Sequence, residues 1–458
     1  MDRSGCRTAV TPLHLNAVVT TLVRAVSPKG NADWAKVRRA LDVRRFLDFR
    51  RVGLCACCCA GLATTARAQQ TAPPAEPQHQ SPAQAEPPVT PPPTSSEFVP
   101  EVLPIGSDVE ASTSGWRSVL ASVNKDIEGP ALRAGSVVSG GGFALGGHWR
   151  ETISTRARLD TEYMVSVKGY QSALIDLSSQ PLANGRLTFG FGMKYESLPM
   201  EDFFGVGPAS EVGTHTSYER QGLDTRGWAR IRVRPWFELR PSVGHLDTRL
   251  LAGEQSGIPS IEAVDWRLPV SGVGRQSRYM HAGLAAIIDR RDDPKRTRSG
   301  ILIKASAERF EAVTNQDGGF LKTEVDVRGY VPIRLFSRQD VFAIRGVALL
   351  TDGTRHQSAP FYFLPRLGGG GLLRGYETSR FVDTQALFAS AEYRWQAHRR
   401  LQVVSFVDVG QVAPSMRAFE LSNVQTSVGV GIRYRGFRID YAKGAEGGRL
   451  HVGVGASF

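Results

Sequence analysis

The sequence predicts an all-β protein, a transmembrane antiparallel β-barrel of about sixteen strands, and three observations predict it. A secretory leader opens the chain, short segments alternating apolar and polar residues recur to its end, and no run approaches the roughly 18 apolar residues of a membrane helix. A mean hydropathy of −0.20 agrees, because barrel strands give every second position to a wet lumen.

In chain order, the leader comes first. Arg44, Arg45, Arg50 and Arg51 precede an apolar run from Val52 to Ala66, and Ala66-Arg67-Ala68 places small residues where signal peptidase reads. Cleavage is expected before Gln69, with residues 1–68 as leader and signal peptide. Such a signal needs fewer residues, which points to a start downstream of Met1. The lesser alternative is a lipoprotein signal at Leu54–Cys57, with Cys57 lipidated. All five cysteines precede the expected cleavage site, so disulfides and thiolate metal sites are not expected in the mature chain. The formal charge of +12 also dissolves on division. Residues 1–68 hold 12 basic and 4 acidic side chains, the remaining 390 hold 44 and 40. Nucleic acid therefore loses its main support as a partner.

Residues 69–115 are rich in Pro, Ala, Gln and Glu, with clusters at Pro73-Pro74, Pro87-Pro88 and Pro91-Pro92-Pro93. That composition cannot bury a core and reads as a disordered periplasmic tether.

From Trp116 to Phe458 the texture is barrel-like. Leu321, Thr323, Val325 and Val327 alternate with Lys322, Glu324, Asp326 and Arg328. Ile301 to Glu308 repeats the pattern, as do Val428 to Arg435 and Phe437 to Tyr441. The last segment places Leu450, Val452, Val454, Ala456 and Phe458 on one apolar face, opposite His451, Gly453, Gly455 and Ser457. Period-two alternation puts one set toward lipid and the other toward the lumen. Tyr393, Trp395, Tyr434 and Tyr441 suit interfacial girdles. The 343 residues from Trp116 to Phe458, at roughly 21 per strand and connection, allow about sixteen strands. The segments before Gln180 are blurred. The terminal Phe458 resembles the sorting signal of bacterial outer-membrane barrels.

Four patterns, in order, resemble the BamA/TamA superfamily, whose barrel is also called bacterial surface antigen. Glu201-Asp202-Phe203-Phe204-Gly205-Val206-Gly207 looks like its aromatic-Gly-x-Gly segment. Asp289-Arg290-Arg291-Asp292-Asp293-Pro294, followed by Gly300, looks like its D-x-R-D turn, with Thr297 where the family often has proline. Gly368 to Tyr376 resembles the [VL]-R-G-[FY] tip of its long sixth loop, here Leu373, Arg374, Gly375 and Tyr376. Glu392-Tyr393-Arg394 and Phe406-Val407-Asp408-Val409-Gly410 resemble its next two strands. The likeness covers the chain from about residue 130 onward.

The resemblance implies that a loop near 351–384 folds into the barrel. Arg374 would then meet Asp408 and Glu392, on a wall that includes Phe406 and Gly410. A guanidinium fork suits such bidentate contact. On the residues alone, Arg374 is an ordinary solvated loop arginine. The family's activities are insertion or translocation of outer-membrane or surface proteins, so outer-membrane lipid and unfolded protein substrates are the implied partners of a monomeric barrel. Its assembly factors carry POTRA domains ahead of the barrel, and residues 69–115 are too short and proline-rich for one.

Other chemistry finds no motif. The glycine run lacks the Gly-Lys-Ser/Thr of a phosphate loop, and neither H-E-x-x-H nor G-x-S-x-G occurs. Asp289, Arg291 and Asp292 read as a charged turn. No cofactor, metal site or enzymatic activity is expected. A pore gated by the inserted loop is the alternative to the insertion module, with an outer-membrane lipase or protease a distant third.

Overall fold

The computed structural model describes residues 128–138, 140–263, 276–294, 296–313, 318–354, 358–434, 437–454 and 458. The expected leader, the proline-rich segment and residues 116–127 lie outside them.

The first strands are β1 (Gly129–Gly135), β2 (Ala144–Ser154), β3 (Ala157–Ser166), β4 (Gln171–Ser179), β5 (Leu187–Phe203) and β6 (Thr216–Arg234). There follow β7 (Phe237–Ala252), β8 (Gln276–Asp289), β9 (Gly300–Ala312), β10 (Phe320–Ile333) and β11 (Asp340–Gly353). After the short pair β12 (Arg366–Leu367) and β13 (Phe381–Val382) come β14 (Gln385–His398), β15 (Leu401–Ala413), β16 (Gln425–Tyr434), β17 (Phe437–Gly444) and β18 (Gly447–Val454). Sixteen of these form one antiparallel sheet in sequence order, with β12 and β13 paired separately inside the connection from β11 to β14. This is the all-β antiparallel barrel that the alternation predicts, with sixteen barrel strands.

Alternation sets the two faces. In β10, Asp326 is buried and bonds Arg345 of β11, while its neighbour Val327 is exposed. Val428, Val430 and Ile432 of β16, and Ile439 and Tyr441 of β17, are exposed, while Arg438 and Asp440 are buried. Apolar outside and charged inside is the reverse of a soluble sheet, and it is what lipid demands.

The sheet curls round the β11–β14 connection, and both of its edges reach that segment. At one end, His451 of β18 lies 2.7 Å from the Arg374 carbonyl and Arg449 pairs with Glu377 at 2.7 Å. At the other, Thr378 approaches Gly140, before β2, so closely that a Cβ there would meet its hydroxyl at 2.8 Å. No backbone ladder joins β1 to β18 among the described residues. Among the described residues the strands at this seam are short: 7 residues in β1 and 8 in β18, against 17 and 19 in β5 and β6.

One strand differs from expectation. Phe458 does not share the outward face of Leu450 and Val452. It is buried with Tyr330, Val341 and Ala343, whose side chains point inward. The physical reason lies in what Phe458 meets: Arg394 donates to its carbonyl at 3.1 Å, and the Arg394 guanidinium stands 4.9 Å from its ring centroid.

Candidate functional site

The connection from β11 to β14 enters the lumen because its sequence gives it things to bury. Phe361, Tyr362 and Phe363 form a short 3-10 turn, each ring almost wholly buried. Phe361 packs on Phe203 at 4.7 Å, and Phe363 packs on Phe320 at 4.7 Å and on Tyr279 at 5.7 Å. Burying such a side chain stabilises by about 1.5–3 kcal/mol, so this leg is an apolar anchor on the wall of β5 to β10. Phe203, in the Glu201–Gly207 segment, is thus a contact of the loop. That segment also meets the loop's return leg, where the Gly207 amide donates to the Val382 carbonyl at 2.7 Å.

β12 and β13 then pair across the base of the tip. Gly368 must be glycine: its φ is +118°, and the Glu377 carbonyl fills the place of a Cβ. Leu373 adopts φ 62°, a left-handed conformation that strains a leucine, and is wholly buried with Leu372, Tyr376 and Phe388. Strain of this kind persists only where surrounding contacts over-determine it.

At the tip, the structure brings Arg374 together with Asp408, Glu392 and Phe406. Arg374 Nε donates to Asp408 Oδ2 at 2.8 Å and Nη2 to Oδ1 at 2.6 Å, a two-pronged contact. Nη1 donates to Glu392 Oε1 at 2.7 Å, and Nη2 also reaches Ser390 Oγ at 3.1 Å. The guanidinium carbon lies 3.4 Å from the Phe406 ring centroid. Glu392, opposite Phe406 in the ladder, gives its second oxygen to Arg394 at 2.9 Å. Arg433 and Arg438 flank Asp440 nearby, so four arginines and three carboxylates share this buried wall.

Gly375 passes where nothing larger fits, since a Cβ would lie 2.5 Å from Ser427 Cβ and 2.6 Å from the Gly444 backbone nitrogen. Tyr376 continues into the wall and donates to Gln425 Oε1 at 3.0 Å. Gly410 faces Leu367, whose Cδ1 would stand 3.0 Å from an added Cβ. Phe458 is apart from the tip but linked to it through Arg394 and Glu392.

Two further loop arginines carry no motif signal. Arg366 donates to the Tyr218 hydroxyl at 2.6 Å and faces Glu201 at 3.5 Å. Arg380 donates to the Ser210 carbonyl at 2.7 Å and pairs with Glu446 at 2.8 Å. The apolar run Pro360–Pro365 between strands was the available clue to the aromatic anchor. His281, between Asp224 at 3.0 Å and Glu308 at 2.9 Å, lies below that anchor and stacks on Phe310. Among the described residues no cluster of three or more His, Cys, Asp or Glu could hold a metal. What the arrangement offers is a loop locked inside a polar lumen.

Against known proteins, residues 270–458 match the Omp85 superfamily domain. No curated protein sequence matches the chain. Among solved structures, BamA from Haemophilus ducreyi lacking POTRA domains 1-3 is 13% identical, with a TM-score of 0.54, over 71% of this chain and 69% of that one. CdiB from Acinetobacter baumannii is 11% identical with a TM-score of 0.40, over 71% and 56%. CdiB from Escherichia coli is 10% identical with a TM-score of 0.45, over 70% and 61%. The chain thus spans from 56% to 69% of these three chains. The BamA likeness is one of fold.

Proposed function

We propose that this barrel, whose residues 270–458 match the Omp85 superfamily domain, is of that superfamily and assists the insertion or translocation of outer-membrane or surface proteins in a Gram-negative-type outer membrane. The observation that carries the reading is the loop tip seated in the lumen by Arg374 on Asp408 and Glu392. The seam supports it. β1 and β18 are short and share no ladder among the described residues, and an unpaired strand edge is a ready template for an incoming strand. Phe458 serves as the assembly signal read on export, and the mature chain begins at Gln69. The barrel works as a monomer with no cofactor, on lipid and unfolded protein substrates. Insertion rates of unfolded barrel proteins into vesicles, with and without this protein, test the reading. Equal rates overturn it.

A second reading, a pore closed by the loop, is favoured by the aromatic anchor of Phe361 and Phe363 against Phe203, Tyr279 and Phe320. Apolar constrictions close pores by excluding water. Conductance in planar bilayers that rises on deletion of residues 358–383 would support it, and unchanged conductance would remove it.

A further inference from the structure

The two rims of the barrel carry very different charge. Odd-numbered crossings lead into the long connections at one rim, and even-numbered crossings lead into the shorter turns at the opposite rim. Among the described residues, the connections at the short-turn rim (β2–β3, β4–β5, β6–β7, β8–β9, β10–β11 and β14–β15) hold ten arginines and two aspartates. The connections at the other rim, inserted loop included, hold five basic and seven acidic residues. Of the ten arginines, all but Arg291 are exposed, Arg334, Arg338, Arg399 and Arg400 among them.

Aromatic side chains stand at the same level, on the outside. In the β10–β11 turn, Leu335 and Phe336 are 67% and 70% exposed. Phe336 lies against the outward-facing rings of β14, 6.1 Å from Tyr393 and 5.8 Å from Trp395. The turn is held in this pose by Asp340. Its carboxylate accepts the Phe336 and Ser337 amides at 2.8 Å, the Ser337 hydroxyl at 2.6 Å and the Tyr393 hydroxyl at 2.9 Å. Those bonds engage Asp340, the first residue of β11, within the turn's own backbone and hydroxyl groups. A second pairing repeats the motif across the rim, where the Arg290 guanidinium lies 4.2 Å from the Trp236 ring centroid.

We infer that the short-turn rim is a binding surface for anionic phospholipid headgroups, with Arg334, Arg338, Arg399 and Arg400 taking the phosphates while Phe336 and Trp395 enter the acyl boundary. The inference rests on the reading of the chain as a membrane barrel. Three physical facts favour lipid over an acidic polypeptide. The aromatics face outward, toward the bilayer, rather than into the lumen. Aromatic rings settle at the headgroup level. Arginines there gain from an anionic leaflet through a field that fades within a Debye length. Charge confined to one rim also gives the barrel a preferred leaflet for that rim.

The test uses the full-length mature protein refolded into phosphatidylcholine vesicles that contain either brominated phosphatidylglycerol or brominated phosphatidylcholine at equal mole fraction. Trp236 and Trp395, both over one third exposed at this rim, report the lipid beside them by quenching. The expected preference for phosphatidylglycerol is roughly three- to tenfold at low salt, shrinking toward one in about 0.5 M salt. The combined variant Arg334→Gln, Arg338→Gln, Arg399→Gln and Arg400→Gln should lose it while keeping heat-modifiable migration. Should that variant not fold, the salt dependence of the wild type decides. Equal quenching by the two lipids, or a preference unchanged in the variant, overturns the inference and leaves the barrel reading standing. So does tight binding of poly-glutamate in neutral detergent without lipid preference, which would make the rim a protein-docking surface. No quenching by either lipid would mean that the chain does not enter the bilayer, and the membrane reading itself would fall.

Discussion

Arg374→Ala removes four side-chain N–H bonds at once, and the structure says which partners suffer. Glu392 keeps Arg394 at 2.9 Å. Asp408 keeps only the Ser390 hydroxyl at 2.7 Å, the Arg374 amide at 3.1 Å and a long contact from Ser427 at 3.5 Å. A buried carboxylate without its cation costs about 3–5 kcal/mol, and that cost falls on the seating of the loop tip. Asp408→Ala does the converse, since Arg374 retains Glu392 at 2.7 Å. Glu392→Gln should be milder than either, because the Asp408 fork survives. Arg374→Lys should rescue only in part, as lysine supplies neither the fork nor a flat face for the Phe406 ring. Urea unfolding of the refolded barrel, followed by heat-modifiable migration, gives the free energies. Limited proteolysis at residues 368–384 reports whether the tip has left the lumen. The double variant Arg374→Ala with Asp408→Ala should fall short of the summed single losses by about 1–3 kcal/mol. Additive losses, or a tip equally protease-resistant in all variants, would refute the reasoning.

Gly375→Ala places a methyl against the Ser427 side chain and the Gly444 backbone; it should cost about 1–3 kcal/mol by overpacking and expose the tip to protease, and a wild-type digestion pattern counts against it. Phe363→Ala empties the ring cluster with Phe320, Phe310 and Tyr279, so a loss of about 3–5 kcal/mol is expected, measured by urea unfolding. Asp292→Ala removes an acceptor for the amides of Asp293, Arg298 and Ser299 at 2.9, 3.0 and 3.2 Å; unfolding should show a loss of about 1 kcal/mol. Slight burial works against the Asp292 charge, but these amides outweigh it and hold the carboxyl below its ordinary 3.8. A folded-state pKa below the unfolded one means this stabilisation is complete above about pH 4 and fades as pH falls through the folded value. The Asp292→Ala loss should therefore vanish in acid, and a loss that persists there contradicts the assignment.

The sequence was most legible where two periodicities agreed. From Ile301 onward segments with one apolar face and one polar, often charged, face keep recurring, so the two barrel faces are legible there. Before Gln180 that contrast fails for a physical reason. Gly146 and Gly147 interrupt β2, and Leu159 of β3 is nearly fully buried beside the buried Asp160, so parity and polarity no longer coincide. The tip residues were reachable only through the family pattern, because nothing in Leu373–Tyr376 itself distinguishes an inserted arginine from a solvated one. Arg366 and Arg380 stayed invisible for the same reason. Their partners, Tyr218 and Ser210, lie 148 and 170 positions away, a distance that no local spacing encodes. Phe458 shows the opposite error. Parity alone places Phe458 outward with Leu450 and Val452, whereas its ring lies between two guanidinium groups, Arg394 at 4.9 Å and Arg345 at 6.0 Å, partners that no local spacing encodes. Arg394 also holds Glu392, and Glu392 holds Arg374, so Phe458 and the tip of the inserted loop are joined by one chain of contacts. Displacing either end of that chain changes the charge balance felt by the other, which is the coupling a seam that opens and a loop that seals would need.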